Sequence, residues 1–343
     1  LPVLGIKDIA ALANVSPATV SRVLNSPELL SAKTLARVQK VIDEHGYTPN
    51  RFGTSLRTKK SGNIVAIIPH ITKPVNAGII RAIEEEAQKF GYSVLLGDTQ
   101  GLRERELHYG SLARHGQADG VLLFGANLPF ELNDKLPIEK QLPPLVNANE
   151  LVPDVDIHKI FIDNEAAAIE AMQHLFAFGH TRIAAVVGPS DVPSSNERLC
   201  GYKRALEMQG IEFSTDLVIQ GDYTLHSGVE TGNILLNLQP RPTAVFAFSD
   251  DMAIGIMQVL HKNGVVVPAD ISVIGFDDIS YAEFVRPSLT TVHQPLKEIG
   301  QTCANLLIRS IKNPDLKPEK IQLTYTLKVR DSTGPVNKNK TAE

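Results

Sequence analysis

Residues 6–25 constrain this chain more than any other segment. They read as two short helices around a tight turn. Asn14 tolerates the positive φ that such a turn demands. Ser16 is an N-cap residue type, and Pro17 suits the first position of the second helix. Ile9, Val15, Val20 and Val23 close a small core behind the pair, which leaves Pro17, Ala18, Thr19, Ser21, Arg22 and Asn25 facing outward. An ordinary helical hairpin satisfies the same pattern. The sharper reading is a helix-turn-helix, whose second helix enters a DNA major groove with its first residues against base edges.

Charge separates the readings further. The 343 residues carry a formal net charge of −4, which does not suit a phosphate-binding protein. The charge is unevenly distributed, however. Residues 1–60 hold nine Lys or Arg against four acids, a net +5, and the rest of the chain is left with −9. A basic headpiece on an acidic body fits a small DNA-binding module joined to a body with another task. The length allows two or three domains. Cys200 and Cys303 are the only cysteines, too few for a disulfide framework or a four-thiolate zinc site. Residues 1–5 have no basic start leading into a long apolar run, so a signal peptide is not expected, and the expected compartment is the cytoplasm.

A third helix is predicted over residues 32–45, capped by Ser31 and stopped by Gly46, with Leu35, Val38, Val41 and Ile42 as its apolar stripe. Residues 50–62 read either as a solvated linker or as a short helix that orders on DNA and drives Leu56 between base pairs in the minor groove. Beyond residue 63, apolar runs alternate with amphipathic segments. Runs near 64–68, 94–96, 120–124 and 144–146 form one strand series. A second begins near 160–162 and continues through 183–187, 217–219, 244–247 and 271–275. This βαβ alternation in two blocks predicts an α/β core of two doubly wound parallel-sheet lobes. Phe90-Gly91 and Phe178-Gly179 both read as helix ends, which makes the lobes look like similar units. A ligand belongs in the crevice beyond the carboxyl ends of the strands. Polar residues collect there: Asp98, Asn147, Asn149, Asp163, Arg198, Asp222, Asp250 and Asp277. Each is also a common turn or cap type. Together, carboxylates, amides and one arginine suit a neutral polyhydroxylated ligand.

Specific motifs then point to a family. They are Lys7-Asp8-Ile9-Ala10, Val15-Ser16 through Asn25, Gly46-Tyr47-Thr48-Pro49-Asn50, residues 55–61, Asp163-Asn164, Gly179-His180-Thr181-Arg182-Ile183, Arg198 with Gly201-Tyr202, Gly275-Phe276-Asp277-Asp278 and Leu289-Thr290-Thr291-Val292. Along almost its whole length the chain resembles the lactose-repressor/galactose-repressor family of transcription regulators. The resemblance implies a homodimer that reads a pseudo-palindromic operator and a periplasmic-binding-protein-like core that binds a small effector. It divides the chain into a headpiece (1–49), a hinge helix and linker (50–62), a core (63–333) and a polar tail (334–343). Within the core, lobe one would join about 63–160 to 293–321, and lobe two about 161–290 to 322–333. Pro17, Ala18 and Arg22 match base-reading positions. Ser16, Thr19, Ser21 and Asn25 are assigned to phosphates, Tyr47 and Asn50 join the DNA-facing set, and Leu56 matches the intercalating leucine. Arg198 and Asp277 match the ligand clamp, and Asp250 falls on a third contact position. Asn76, Asn149, Asp163 and Asp222 complete the expected effector set.

The match leans toward the family's nucleoside-responsive members, so the expected effector is a nucleoside such as cytidine, with a sugar as the alternative. Two departures bear on this. Gly53 replaces the small residue usual in the hinge helix, which lowers helix propensity by about 1 kcal/mol. Val75-Asn76 stands where many members carry two aromatics, which removes a stacking surface for a base and leaves Asn76 to bond a base edge or a sugar hydroxyl. The tail has no leucine heptad, so a dimer is expected rather than a tetramer. No phosphate loop, nucleophile elbow or H-E-x-x-H pair argues for an enzyme. No cofactor or metal is expected. A periplasmic-type solute receptor shares the lobes but not the headpiece.

Overall fold

The first helix, α1 (Ile6–Leu12), packs against α2 (Pro17–Asn25) and α3 (Ala32–His45) around Ile9, Ala10, Ala13, Val20, Val23, Val38 and Ile42. The turn residue Asn14 has φ 50°. Ser16 Oγ accepts the Thr19 amide at 3.2 Å and so caps α2. Ser31 caps α3 in the same way, and α3 ends at Gly46 with φ 59°. This computed structural model describes residues 4–47, 60–133 and 135–337. The expected hinge helix, with Asn50, Gly53 and Leu56, therefore lies outside the described residues. The chain forms two units, Leu1–Ser61 and Gly62–Glu343.

The larger unit holds two six-stranded sheets. In chain order its elements begin β1 (Asn63–Ile68), α4 (Pro74–Lys89), β2 (Ser93–Asp98), α5 (Arg103–Arg114), β3 (Val121–Leu123), β4 (Leu145–Ala148) and β5 (His158–Phe161). They continue with α6 (Asn164–Ala177), β6 (Ile183–Val187), α7 (Pro193–Met208), β7 (Val218–Gln220), α8 (Leu225–Asn237), β8 (Ala244–Ala247), α9 (Asp250–Lys262), β9 (Ser272–Asp277) and β10 (Thr290–His293). α10 (Leu296–Lys312), β11 (Lys320–Gln322) and β12 (Thr326–Lys328) complete the unit. The first sheet has the order β11-β5-β4-β3-β1-β2 and the second β12-β10-β9-β8-β6-β7. Every pairing is parallel except β10 with β12. Each half thus repeats one doubly wound order, whose direction reverses beside its first strand.

Three details differ from the sequence reading. The run at 158–161 belongs to the first sheet, beside β4 and β11, rather than opening the second series. A strand buried on both faces has the same apolar pattern in either sheet, so periodicity could not assign it. Near 217, a short 3-10 turn (Thr215–Leu217) leads into β7 at Val218. The expected polar tail stays attached through Val336: Gly334 donates to Ser272 Oγ at 3.1 Å, and Val336 donates to the Phe178 carbonyl at 2.9 Å. Buried His180 also bonds the Gly334 carbonyl at 2.9 Å. Polar sequence alone does not reveal these anchors.

The chain passes between the two halves at residues 162–163, 294–295 and 323–325. α10 follows β10 of the second sheet yet packs on α4 of the first. None of the described helices is long and apolar enough to cross a membrane.

Candidate functional site

On the headpiece, Ser16, Pro17, Ala18 and Arg22 are exposed, while Thr19 and Ser21 are half-buried. Pro17 and Ala18 sit in the first turn of α2, with Arg22 one turn further along. Thr19 Oγ1 pairs with Ser16 Oγ at 3.0 Å, so the cap is shared by two hydroxyls. The Tyr47 ring packs against the headpiece core, and its amide closes onto the Ile42 carbonyl at 3.0 Å. Burial raises the Tyr47 phenol pKa. α2 contains Asn25, whose side chain, like Asn50 and Leu56, lies outside what is described.

In the larger unit, a cleft of about 380 Å³ opens between the two halves. Its walls come from the residues that follow the carboxyl ends of the strands. Lys73 and Asn76 come after β1, Phe124 and Asn127 after β3, and Asn149 and Glu150 after β4. The second half contributes Ser194 after β6, Asp222 and Tyr223 after β7, Asp251 after β8, Asp277 at the end of β9 and Gln294 after β10. Backbone strain collects at this rim. Asn149, Tyr223 and Asp277 have φ of 63°, 66° and 118°, in a region that residues other than glycine seldom adopt.

Arg198 projects from α7 and is nearly buried. Its Nε donates to Asn164 Oδ1 at 3.0 Å and its Nη1 to the Phe248 carbonyl at 2.5 Å. The guanidinium lies 3.5 Å from the centroid of the Phe276 ring. Asp277 accepts from Gln294 Nε2 at 2.6 Å. Burial pushes the Asp277 carboxyl up to about 6, against the pull of the Arg198 charge and the Gln294 bond. The Lys73 ammonium stands 5.2 Å from the centroid of the Tyr223 ring. Burial lowers its pKa, while Asp277, Asp222, Asp251 and Glu150 work in the other direction. Glu150 reaches across the cleft and accepts from Ser194 N at 3.0 Å and from Ser194 Oγ at 2.6 Å. It thereby caps α7, whose own N-cap Val192 has no capping side chain. The Tyr223 ring rests against Gly188, where any Cβ would collide with it. Its buried hydroxyl lies toward Ser194 and Ser195 but has no hydrogen-bond partner among the described residues.

The expected effector residues separate into two groups. Asn76, Asn149, Arg198, Asp222 and Asp277 line the cleft. Asp163 instead caps α6, accepting the Ala166 amide at 2.9 Å. Asp250 is fully buried behind the wall; it accepts from Thr291 Oγ1 at 2.5 Å and from the Ile279 amide at 2.9 Å. Burial and the Asp277 charge raise the Asp250 carboxyl well above the carboxylate range. Asp98 and Asn147 serve the backbone locally, Asn147 through four bonds to main-chain groups. Sequence reasoning missed Lys73, Glu150, Asn164, Ser194, Tyr223, Asp251 and Gln294. Their signal was position alone, just past a strand end. Asp250 and Asp251 point about 100° apart on one helix, and sequence does not show which of them faces the ligand side. No group of three His, Cys, Asp or Glu among the described residues is placed to hold a metal.

Comparison with known proteins fits both features. Residues 5–50 match the bacterial regulatory proteins of the lacI family, and residues 172–333 match the periplasmic binding protein-like domain. The HTH-type transcriptional repressor CytR of Escherichia coli K12 is 38% identical over 327 residues, 95% of each chain. The lac repressor dimer bound to operator and the anti-inducer ONPF superposes with a TM-score of 0.84 at 27% identity, covering 96% of this chain and 99% of that one. The complex of the transcriptional regulator CelR with cellobiose superposes at 0.70 with 33% identity, covering 96% and 99%. The chain therefore belongs to the lacI family of bacterial regulatory proteins and is a DNA-binding transcriptional repressor.

Proposed function

We propose that the repressor binds a pseudo-palindromic operator as a homodimer, in the cytoplasm, and that a nucleoside such as cytidine in the cleft controls it. One observation carries the effector reading: Arg198, Asp222, Asp277, Asn76 and Asn149 line the same cleft as Tyr223. Such a lining offers donors and acceptors to ribose hydroxyls and a ring to a base. Asp163 and Asp250 act indirectly in this reading, Asp250 by tying the strained Asp277 loop to α9 through the Ile279 amide. A sugar effector is the second reading. Val75-Asn76 in place of an aromatic pair favours it, as does the cellobiose held by CelR. Calorimetric titration with cytidine, uridine, adenosine, ribose and hexoses separates the two. Saturable heat from a nucleoside supports the first reading, and heat from a sugar alone replaces it.

Effector binding is expected to depend on pH through Asp277. Its folded value, about 6, lies above the ordinary value of about 3.9, so the group favours folding below about pH 4 and that contribution is lost as pH rises through 6. The charged form, the better acceptor for a ligand hydroxyl, prevails above that point. Calorimetric affinity should therefore fall between pH 7.5 and pH 5. Asp277→Asn should bind more weakly and with a flatter profile, and an unchanged slope would remove Asp277 from the contact set.

On DNA, Arg22 is assigned to guanine O6 and N7, and Pro17 and Ala18 to apolar contact with thymine methyls. Ser16, Thr19, Ser21 and Asn25 are assigned to phosphates, and Asn50 and Leu56 to the hinge contact. Tyr47, whose ring packs on the headpiece core, is assigned to the same DNA-facing set. Arg22→Ala is expected to cost about 1–3 kcal/mol at one base pair per half-site and to relax preference there. Binding measured on a panel of substituted duplexes checks this; uniform weakening across the panel would reassign Arg22 to phosphate.

A further inference from the structure

The cleft is acidic around Lys73, a cation in its wall with no hydrogen-bonded partner among the described residues. Arg198 is committed through Nε and Nη1 to Asn164 and the Phe248 carbonyl, and its flat face covers Phe276. Lys73 has a different setting. Its ammonium sits over Tyr223 and feels four carboxylates: Asp277, Asp222 and Asp251 from the second half, and Glu150 from the first. Asp222 is held ionised. Burial opposes this, but hydrogen bonding, with the Thr224 amide donating to its Oδ1 at 2.8 Å, outweighs the burial and lowers its pKa. The Tyr223 ring that carries the Lys73 ammonium is itself fixed against Gly188, with its hydroxyl turned inward toward Ser194 and Ser195.

Resting on the effector reading above, we propose that this corner selects the ligand by charge. It accepts a donor-rich group, amino or hydroxyl, that takes the place of the Lys73 ammonium among Asp222, Asp251 and Asp277, and it rejects the phosphate ester of the same ligand. Lys73, Asp222 and Asp251 are then the specificity-determining residues. A phosphate entering here meets Asp222, Asp251 and Asp277, while Arg198 has two of its donors already committed to the protein. The repulsion is least screened at buried Asp277 and most screened at exposed Asp222.

The test is calorimetric titration of the full chain with cytidine and with cytidine 5′-monophosphate. The ester should bind about 100-fold more weakly, and the double variant Asp222→Asn/Asp251→Asn should narrow that gap to about tenfold. Equal or tighter binding of the ester overturns the proposal while leaving the nucleoside reading in place. If neither compound binds, the nucleoside reading fails, and inorganic phosphate followed by 31P NMR decides the charge question. Absence of binding below about 10 mM, with gain of binding in the double variant, supports charge rejection. Sub-millimolar phosphate binding that disappears in Arg198→Ala overturns it. Circular dichroism and thermal melting confirm that each variant is folded.

Discussion

Arg198→Ala is expected to abolish the effector response while leaving the headpiece able to bind DNA. The guanidinium makes two charged hydrogen bonds, stacks on Phe276 and lowers the Asp277 carboxyl. Its removal takes away a ligand donor and leaves Asn164 Oδ1 and the Phe248 carbonyl without this partner. Charged hydrogen bonds of this kind are worth about 1.5–3 kcal/mol each. Loss of one such bond to the effector should lower its affinity by about 10- to 150-fold, before any loosening of the cleft wall adds to it. Asp277 would also titrate higher without the neighbouring cation, which deepens the loss near pH 6. Arg198→Lys should rescue little, because an ammonium offers neither the planar face for Phe276 nor the fork that spans both acceptors. Calorimetry reads the affinity, and an operator mobility assay reads the DNA binding. Wild-type effector affinity in Arg198→Ala would place the ligand elsewhere.

Gly255→Leu is expected to destabilise the larger unit by about 3 kcal/mol or more, a marked drop in melting temperature. Helices α8 and α9 cross with their backbones nearly touching. A Cβ on Gly255 would collide with the Leu225 carbonyl and stand 2.9 Å from the Gly228 Cα. Gly228 meets the Met252 backbone in the same crossing, and a Cβ on Gly232 would come within 3.0 Å of the Val259 side chain. No rotamer relieves a clash with main chain, so the helices must separate. Their amino ends adjoin Asp222, Tyr223 and Asp251, so the separation also disturbs the cleft wall. Gly255→Ala should show the same effect at a smaller size. An unchanged melting temperature in Gly255→Leu would mean that the two helices do not pack this closely.

The headpiece was legible because its signals are local: the Ser16 and Ser31 caps, the Asn14 turn, the Gly46 stop and the stripe of α3 all act within a few residues. The doubly wound core was legible for a similar reason, since apolar runs separated by amphipathic segments dictate parallel strands with helical crossovers. Strand β5 shows where that stops, because membership of a sheet depends on contacts far along the chain. The cleft behaved in the same way. Arg198 and Asp277 were legible through the family motif, but Lys73 and Glu150 acquire their roles from partners in the opposite half. The exchange of Asp250 for Asp251 on the wall turns on helix phase, which one rotation of α9 decides. Tyr223 owes its place to Gly188, a contact 35 positions away in the chain.

The central claim is that ligand in the cleft sets affinity for operator. The direct measurement is the anisotropy of a labelled operator duplex, selected from a random pool, titrated with the full chain in the presence and absence of saturating cytidine or of whichever nucleoside or sugar gives calorimetric heat. Linkage requires the two operator affinities to differ, by about 5- to 150-fold for coupling of ordinary size, and the difference should vanish in Arg198→Ala. Identical operator curves with and without a ligand that demonstrably binds the cleft would contradict the account.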